Sequence, residues 1–197
     1  KAAIWTNAPF LLYLLAISNW SARAVLVAVV FFVVAYSLKG LRFKEKPILD
    51  SITSSLHFVG PLLFALSLQG FPQAAWPFVV AFFAWGMASH AFGAVQDIIP
   101  DRKGKIASIA TKLGARATVW FSAALYAVAA VLVALQGAIY LPVTLVALVY
   151  VLNVAPYLFV TDKTSANTNK SWKRFLWLNY CAGAIVTIVI LSSQLYS

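Results

Sequence analysis

The sequence predicts an all-α polytopic transmembrane bundle of about seven spans, and three observations predict it. Hydrophobic residues make up 62% of the chain and charged residues only 10%, with a mean hydropathy of +0.87. A soluble domain of 197 residues needs far more polar surface than that to stay dispersed. The apolar residues fall in unalternating runs close to the roughly 20 residues a helix needs to cross a bilayer. Lipid cannot satisfy an unpaired backbone group, so helices are the form such runs take. Finally, the loops between runs alternate sharply in charge, as membrane orientation requires. The length suits a single domain, residues 1–197.

Taken in order, the first run, Ile4–Ser18, is short for a span. Ala22–Leu38 and Ile48–Leu68 follow; Asp50 and Ser51 open the latter and read as helix capping. Ala75–Val95, Ala117–Leu135, Ile139–Val160 and Phe175–Leu195 complete the set. Pro61, Pro77, Pro142 and Pro156 are expected to kink their helices and widen the interior. Polar residues inside the runs are few. His57, His90, Asn153 and Asn179 read as hydrogen-bond contacts between helices, and two histidines are too few for a metal cluster. The lone cysteine, Cys181, lies within a run, which excludes an internal disulfide.

A net charge of +10 in a soluble chain would point to nucleic acid. Here every basic residue except Arg23 falls on one side of the predicted bundle, so orientation accounts for the charge and that side is expected to be cytoplasmic. All five acids, Glu45, Asp50, Asp97, Asp101 and Asp162, fall on the same side. The opposite connections, such as Gln69–Ala74 and Gln136–Ala138, are short and uncharged, and carry no chemistry.

Three loops on the charged side carry chemical potential. In the loop Asp97–Arg116, Asp97 and Asp101 stand four residues apart, so on a helical end their carboxylates share a face. Such a pair, with no histidine or thiolate beside it, suits a hard cation such as Mg2+ held with waters and phosphate oxygens. The following basic residues suit the remaining charge of a diphosphate. The plainer reading is a helix end whose aspartates are tied up with the neighbouring Arg and Lys. Location favours the functional reading, because paired acids at the mouth of an apolar bundle are costly. The loop Tyr36–Pro47 carries Lys39, Arg42, Lys44 and Lys46; it is either a positive-inside anchor or a clamp on an anion. The loop Thr161–Arg174 is a polar connection ending in Trp172-Lys173-Arg174.

Gly93-Ala94-Val95-Gln96-Asp97-Ile98-Ile99-Pro100-Asp101-Arg102, running on to Ile106–Arg116, resembles the second aspartate motif of the UbiA-type intramembrane prenyltransferases. Tyr36-Ser37 with Arg42-Phe43-Lys44 resembles that family's short basic motif. Within the family the chain is most similar to lycopene elongases of C50 carotenoid synthesis. That similarity rests on Arg42–Pro47, Thr53–Phe58, Trp85–Ser89 and Ser171-Trp172-Lys173 with Phe175–Tyr180. The resemblance covers nearly the whole chain, in order.

It implies a fold of nine helices with two facing aspartate motifs that hold Mg2+ against a prenyl diphosphate. The seven runs here would be the last seven of those nine. The first motif, of the form Asn-Asp-x-x-Asp-x-x-x-Asp, and the two preceding helices are not matched. The chain is therefore expected to be an incomplete piece of the protein, inactive alone. The resemblance also implies roles. Asp97 and Asp101 would ligate Mg2+; Arg42, Lys44, Arg102, Lys105 and Lys112 would bind the diphosphate; Tyr36 would face an allylic cation. The substrates implied are dimethylallyl diphosphate and lycopene, drawn from the bilayer. A quinone or aromatic acceptor, a transporter of an anionic solute and an inactive homologue are the alternatives. The transporter is disfavoured because the runs hold no charged side chain at mid-membrane.

Overall fold

A computed structural model describes residues 2–195. Its elements, in order, are α1 (Ala2–Ile17), α2 (Trp20–Ser37), α3 (Leu49–Leu68), α4 (Trp76–Val95), α5 (Ile98–Lys103), α6 (Ile109–Leu113), α7 (Ala115–Ala134), α8 (Leu141–Val154) and α9 (Asn169–Leu195), joined by short 3₁₀ turns. Among the described residues there is no strand. Six stretches are long and apolar enough to cross a membrane: Trp20–Ser37, Leu49–Leu68, Gln73–Val95, Ala115–Ala134, Ala138–Tyr157 and Asp162–Ser193. The seventh expected run is the shorter α1, whose 16 residues extend about 24 Å, less than the hydrocarbon core of a bilayer. The chain is an all-α polytopic membrane bundle.

Successive long helices pack on one another, and α4 lies at the middle, against α3, α7 and α9. Lipid tails are as apolar as leucine, so burial alone does not drive these helices together; close approach of backbones does. The sequence of α4 supplies it: the residues it buries include Ala81, Ala84, Gly86, Ala88, Ser89, Ala91 and Gly93. At Gly86 a Cβ would stand 2.4 Å from Ser55 Oγ and 3.1 Å from Ser55 Cα, so only glycine lets α3 come this close. Ser55 Oγ then donates to the Phe83 carbonyl at 2.8 Å, pinning α3 to α4.

Polar contacts continue across the bundle. Ser89 Oγ meets Tyr126 OH at 3.0 Å between α4 and α7. Tyr126 stacks on Tyr150 of α8 with ring centres 5.3 Å apart. Tyr150 OH donates to Asn179 Oδ1 of α9 at 2.7 Å, and Asn153 Nδ2 donates to the Ser171 carbonyl at 3.3 Å. Both asparagines thus join helices, as their place in apolar runs predicts. Outward faces carry large apolar side chains such as Leu152, Trp177 and Leu191, which suits contact with lipid.

The α2–α3, α4–α7 and α8–α9 connections lie at one end of the bundle and are cross-tied there. Asp50 Oδ2 accepts from the Ile109 backbone N–H at 2.7 Å, linking α3 to α6. Arg102 of α5 pairs with Asp162 at 2.6 Å, and Asn169 Nδ2 donates to Gln96 Oε1. Asp50 does serve helix starts, and two of them: Oδ1 accepts from the Ser51 N–H in the first turn of α3 at 2.8 Å, and Oδ2 from the first turn of α6.

Two expectations change. Of the four prolines expected to kink helices, only Pro61 lies inside one. Pro77 and Pro142 sit in the first turns of α4 and α8, and Pro156 in the 3₁₀ turn after α8. A missing N–H costs nothing in a first turn, where no carbonyl awaits it. The polar segment Thr161–Arg174 is mostly helical as well: a 3₁₀ turn over Asp162–Thr168 runs straight into α9, which begins at Asn169. Hydropathy marks only the part of a helix in lipid, so it places the start of α9 too late.

Candidate active site

Asp97 stands directly before α5 and Asp101 lies in its first turn, with the Asp101 N–H donating to the Asp97 carbonyl at 2.8 Å. That turn brings the two residues close enough for the charge of Asp97 to act on Asp101. Surrounding protein strips part of their hydration and raises both pKa values above the usual 3.8. For Asp101 the nearby charge of Asp97 adds to the same effect. Partly dehydrated, mutually repelling carboxylates are what a cation relieves.

The partners of the other acids sharpen the picture. Glu45 pairs with Arg42. Asp50 accepts from the backbone of Ser51 and Ile109. Asp162 accepts from Arg102 and from the Ala115 N–H at 2.7 Å, capping α7. Among the described residues, neither the Asp97 nor the Asp101 side chain enters a hydrogen bond or ion pair. The plainer reading, aspartates tied up by neighbouring cations, therefore does not describe this loop: Arg102 turns away to Asp162 and the Thr111 carbonyl.

The donor set fits a hard cation. Among the described residues no three of His, Cys, Asp or Glu come together to enclose a metal. The chain would thus supply two oxygen ligands, leaving the rest to water and a diphosphate, the ordinary manner of holding Mg2+. Of the five expected diphosphate-binding cations, Arg42 and Arg102 are engaged by Glu45 and Asp162. Lys44, Lys105 and Lys112 form no ion pair among the described residues.

Farther back along α4, side chains of α3, α4 and α9 line a partly open cavity of about 470 Å³. Its walls are Phe58, Trp85, Trp172, Phe175 and Leu176, with Ser54, Ser89, His90 and Asn179 as polar points. Trp85, Phe175 and Trp172 form a continuous stack, with centres 6.0 Å and 5.1 Å apart. Aromatic faces of this kind attract a cation that is shielded from water. Tyr36, the aromatic residue expected to do this, does not line the cavity; it packs edge-on against His57 at 5.0 Å. Sequence reasoning on chemistry alone passed over Trp85, Trp172, Phe58 and Phe175 because aromatic residues are commonplace in membrane helices. All four nevertheless stand in the stretches that carry the family resemblance.

His90 lies in α4, seven residues before Asp97, which stands in the turn that follows the helix. His90 Nδ1 lies 3.1 Å from Ser51 Oγ on α3, a contact between helices as predicted. The His57 contact differs: its Nδ1–H donates at 2.7 Å to the Thr53 carbonyl within its own helix.

The fold defines a class: a polytopic helical membrane protein with an aspartate couple at one end of the bundle and an aromatic-lined cavity among α3, α4 and α9. The chain belongs to the UbiA prenyltransferase family, whose model matches residues 1–179. It is 47% identical over 199 residues to the C(50) beta-cyclic carotenoids biosynthesis protein LbtBC of Dietzia sp. (strain CQ4), covering 98% of this chain and 46% of that protein. It is 42% identical over 195 residues to a lycopene elongase/hydratase of Corynebacterium glutamicum, covering 96% of this chain and 68% of that one. Over 108 residues it is 38% identical to a lycopene elongase/hydratase of Haloferax volcanii, covering 54% of this chain and 35% of the relative. The chain thus spans less than half the length of the Dietzia relative. No solved structure matches it.

Proposed function

We propose that the protein of which this chain is part is an Mg2+-dependent prenyltransferase that moves a dimethylallyl group from its diphosphate to lycopene, extending a C40 carotenoid to C45 and C50. The observation that carries this reading is the pair Asp97 and Asp101, without a hydrogen-bond or ion-pair partner among the described residues, in a chain of the UbiA prenyltransferase family whose neighbouring helices α3, α4 and α9 line an aromatic cavity. Its relatives' names, elongase and C50 carotenoid biosynthesis protein, supply the acceptor.

In this reading Asp97 and Asp101 would hold Mg2+, which when bound would supply charge stabilisation for the departing diphosphate. Lys44, Lys105 and Lys112 take up the remaining charge, and Arg42 and Arg102 join once drawn from their carboxylate partners. The allylic chain descends toward Trp85, Trp172 and Phe175, whose faces stabilise the developing cation. Tyr36 keeps a supporting place, holding the edge of the cluster around His57. The apolar and aromatic lining from α3, α4 and α9 limits water near the cation before the acceptor alkene, entering from the bilayer, attacks it. The excess of Lys and Arg in the loops at this end supports a cytoplasmic orientation for it.

The test uses membranes carrying the full-length protein, given lycopene, labelled dimethylallyl diphosphate and Mg2+. Labelled C45 and C50 products are expected from the unmutated protein and none from Asp97→Ala/Asp101→Ala. No labelled carotenoid from the unmutated protein sinks the reading. Label entering a quinone precursor in its place assigns the site to another acceptor.

A further inference from the structure

A prenyl transfer to an alkene has a second half that the acidic mouth does not serve. Once the new carbon–carbon bond forms, the positive charge has moved to the acceptor, and something must remove a proton to restore a neutral product. Among the residues lining the cavity, His90 is the one side chain with a basic nitrogen. The other polar lining groups are hydroxyls and an amide, none a useful base near neutral pH.

His90 is held in a defined orientation. Ser51 Oγ lies 3.1 Å from Nδ1 and itself donates to Asp50 Oδ1 at 3.4 Å. With the serine proton directed at the carboxylate, Nδ1–H of His90 donates to the serine oxygen. The lone pair is then left on Nε2, which makes no hydrogen bond among the described residues. Asp50 is fully enclosed and fixed by the Ser51 and Ile109 backbone N–H groups, so the Asp50–Ser51–His90 line is rigid. The charged and titratable neighbours are Asp50 and His57 from α3, with Tyr36 of α2 reaching His57.

We propose that His90 is the proton acceptor that ends the reaction, with Ser51 and Asp50 as its positioning residues. A C–H bond next to the acceptor cation breaks, and its electron pair forms the new C=C. The proton goes to Nε2 of His90, and the positive charge passes from carbon to imidazole. The proton later leaves to water as the neutral product departs. His90 lies within α4, seven residues before Asp97, so the base stands apart from the aspartates that would hold the departing diphosphate.

This inference rests on the prenyl-transfer reading, and its test separates the two. The full-length protein in membranes is given the labelled diphosphate, Mg2+ and an acyclic polyene, and diphosphate release is followed alongside the alkene and alcohol products. The variants are His90→Asn, which keeps a polar group beside Ser51 without a base, and Ser51→Ala, which frees Nδ1. In His90→Asn, diphosphate release is expected to continue while the alkene share of the product falls about tenfold or more, as water captures the cation instead. Ser51→Ala is expected to shift the product in the same direction by less. An unchanged alkene share in both variants overturns the proposal. Loss of diphosphate release in both overturns it too, by assigning the cluster to structure. No incorporation by the unmutated protein removes the prenyl-transfer reading and this inference together.

Discussion

Asp50 sits at the start of an apolar run, yet its carboxylate is 0% exposed and serves the backbone of a different helix. Asp50→Ala leaves the buried Ile109 N–H without an acceptor. The expected loss is about 1–3 kcal/mol of stability, read from thermal unfolding in detergent, with Asp50→Asn recovering part of it. Asp97 and Asp101 pose the opposite case. Their raised pKa values mean that each keeps its proton to a higher pH than an ordinary aspartate, and a bound proton competes with a metal. Mg2+ affinity in the presence of inorganic diphosphate is therefore expected to rise with pH, its acid limb lying above the usual 3.8. Calorimetric titration at a series of pH values checks this, and Asp97→Asn/Asp101→Asn removes the dependence. The spacing of these two aspartates was readable in the sequence. That Arg102 pairs with Asp162, sixty residues away, and leaves them free was not, because nothing local distinguishes that arginine's two possible partners.

At the scale of elements, the contact of α3 with α4 rests on one small residue. Gly86→Ala sets a methyl carbon against the Ser55 backbone, which cannot rotate aside, and Gly86→Val enlarges the clash. Both are expected to lower the melting temperature in detergent, valine more than alanine. Ser55→Gly combined with Gly86→Ala should recover part of the loss, since the nearest clash is with the serine oxygen. The long helices were legible because the bilayer imposes a length and a composition on anything that crosses it. The short helices α5 and α6, and the polar first turns of α9, were not. They form outside lipid, where the capping box of Ser108 with Thr111 and contacts to other loops decide the outcome. Tertiary packing likewise decided which aromatics face the cavity, as Tyr36 and Trp85 show.

For the whole molecule, the cross-ties require the α2–α3, α4–α7 and α8–α9 connections to share one side. With Cys181 replaced by serine, single cysteines at Lys105 and Lys163 are expected to react with an impermeant thiol reagent from the same side of sealed vesicles. A cysteine at Gln136 should react from the opposite side, and labelling of all three from one side would refute the topology. The sequence by itself determined the membrane class, the long helices, the charged end and the aspartate pair, because lipid solvation and i, i+4 spacing act through local composition. Only the tertiary structure decided which carboxylates are free, which aromatics form the cavity and which histidine reaches it. Those outcomes depend on side chains far apart in sequence competing for the same partners, and only the packed bundle brings the competitors together.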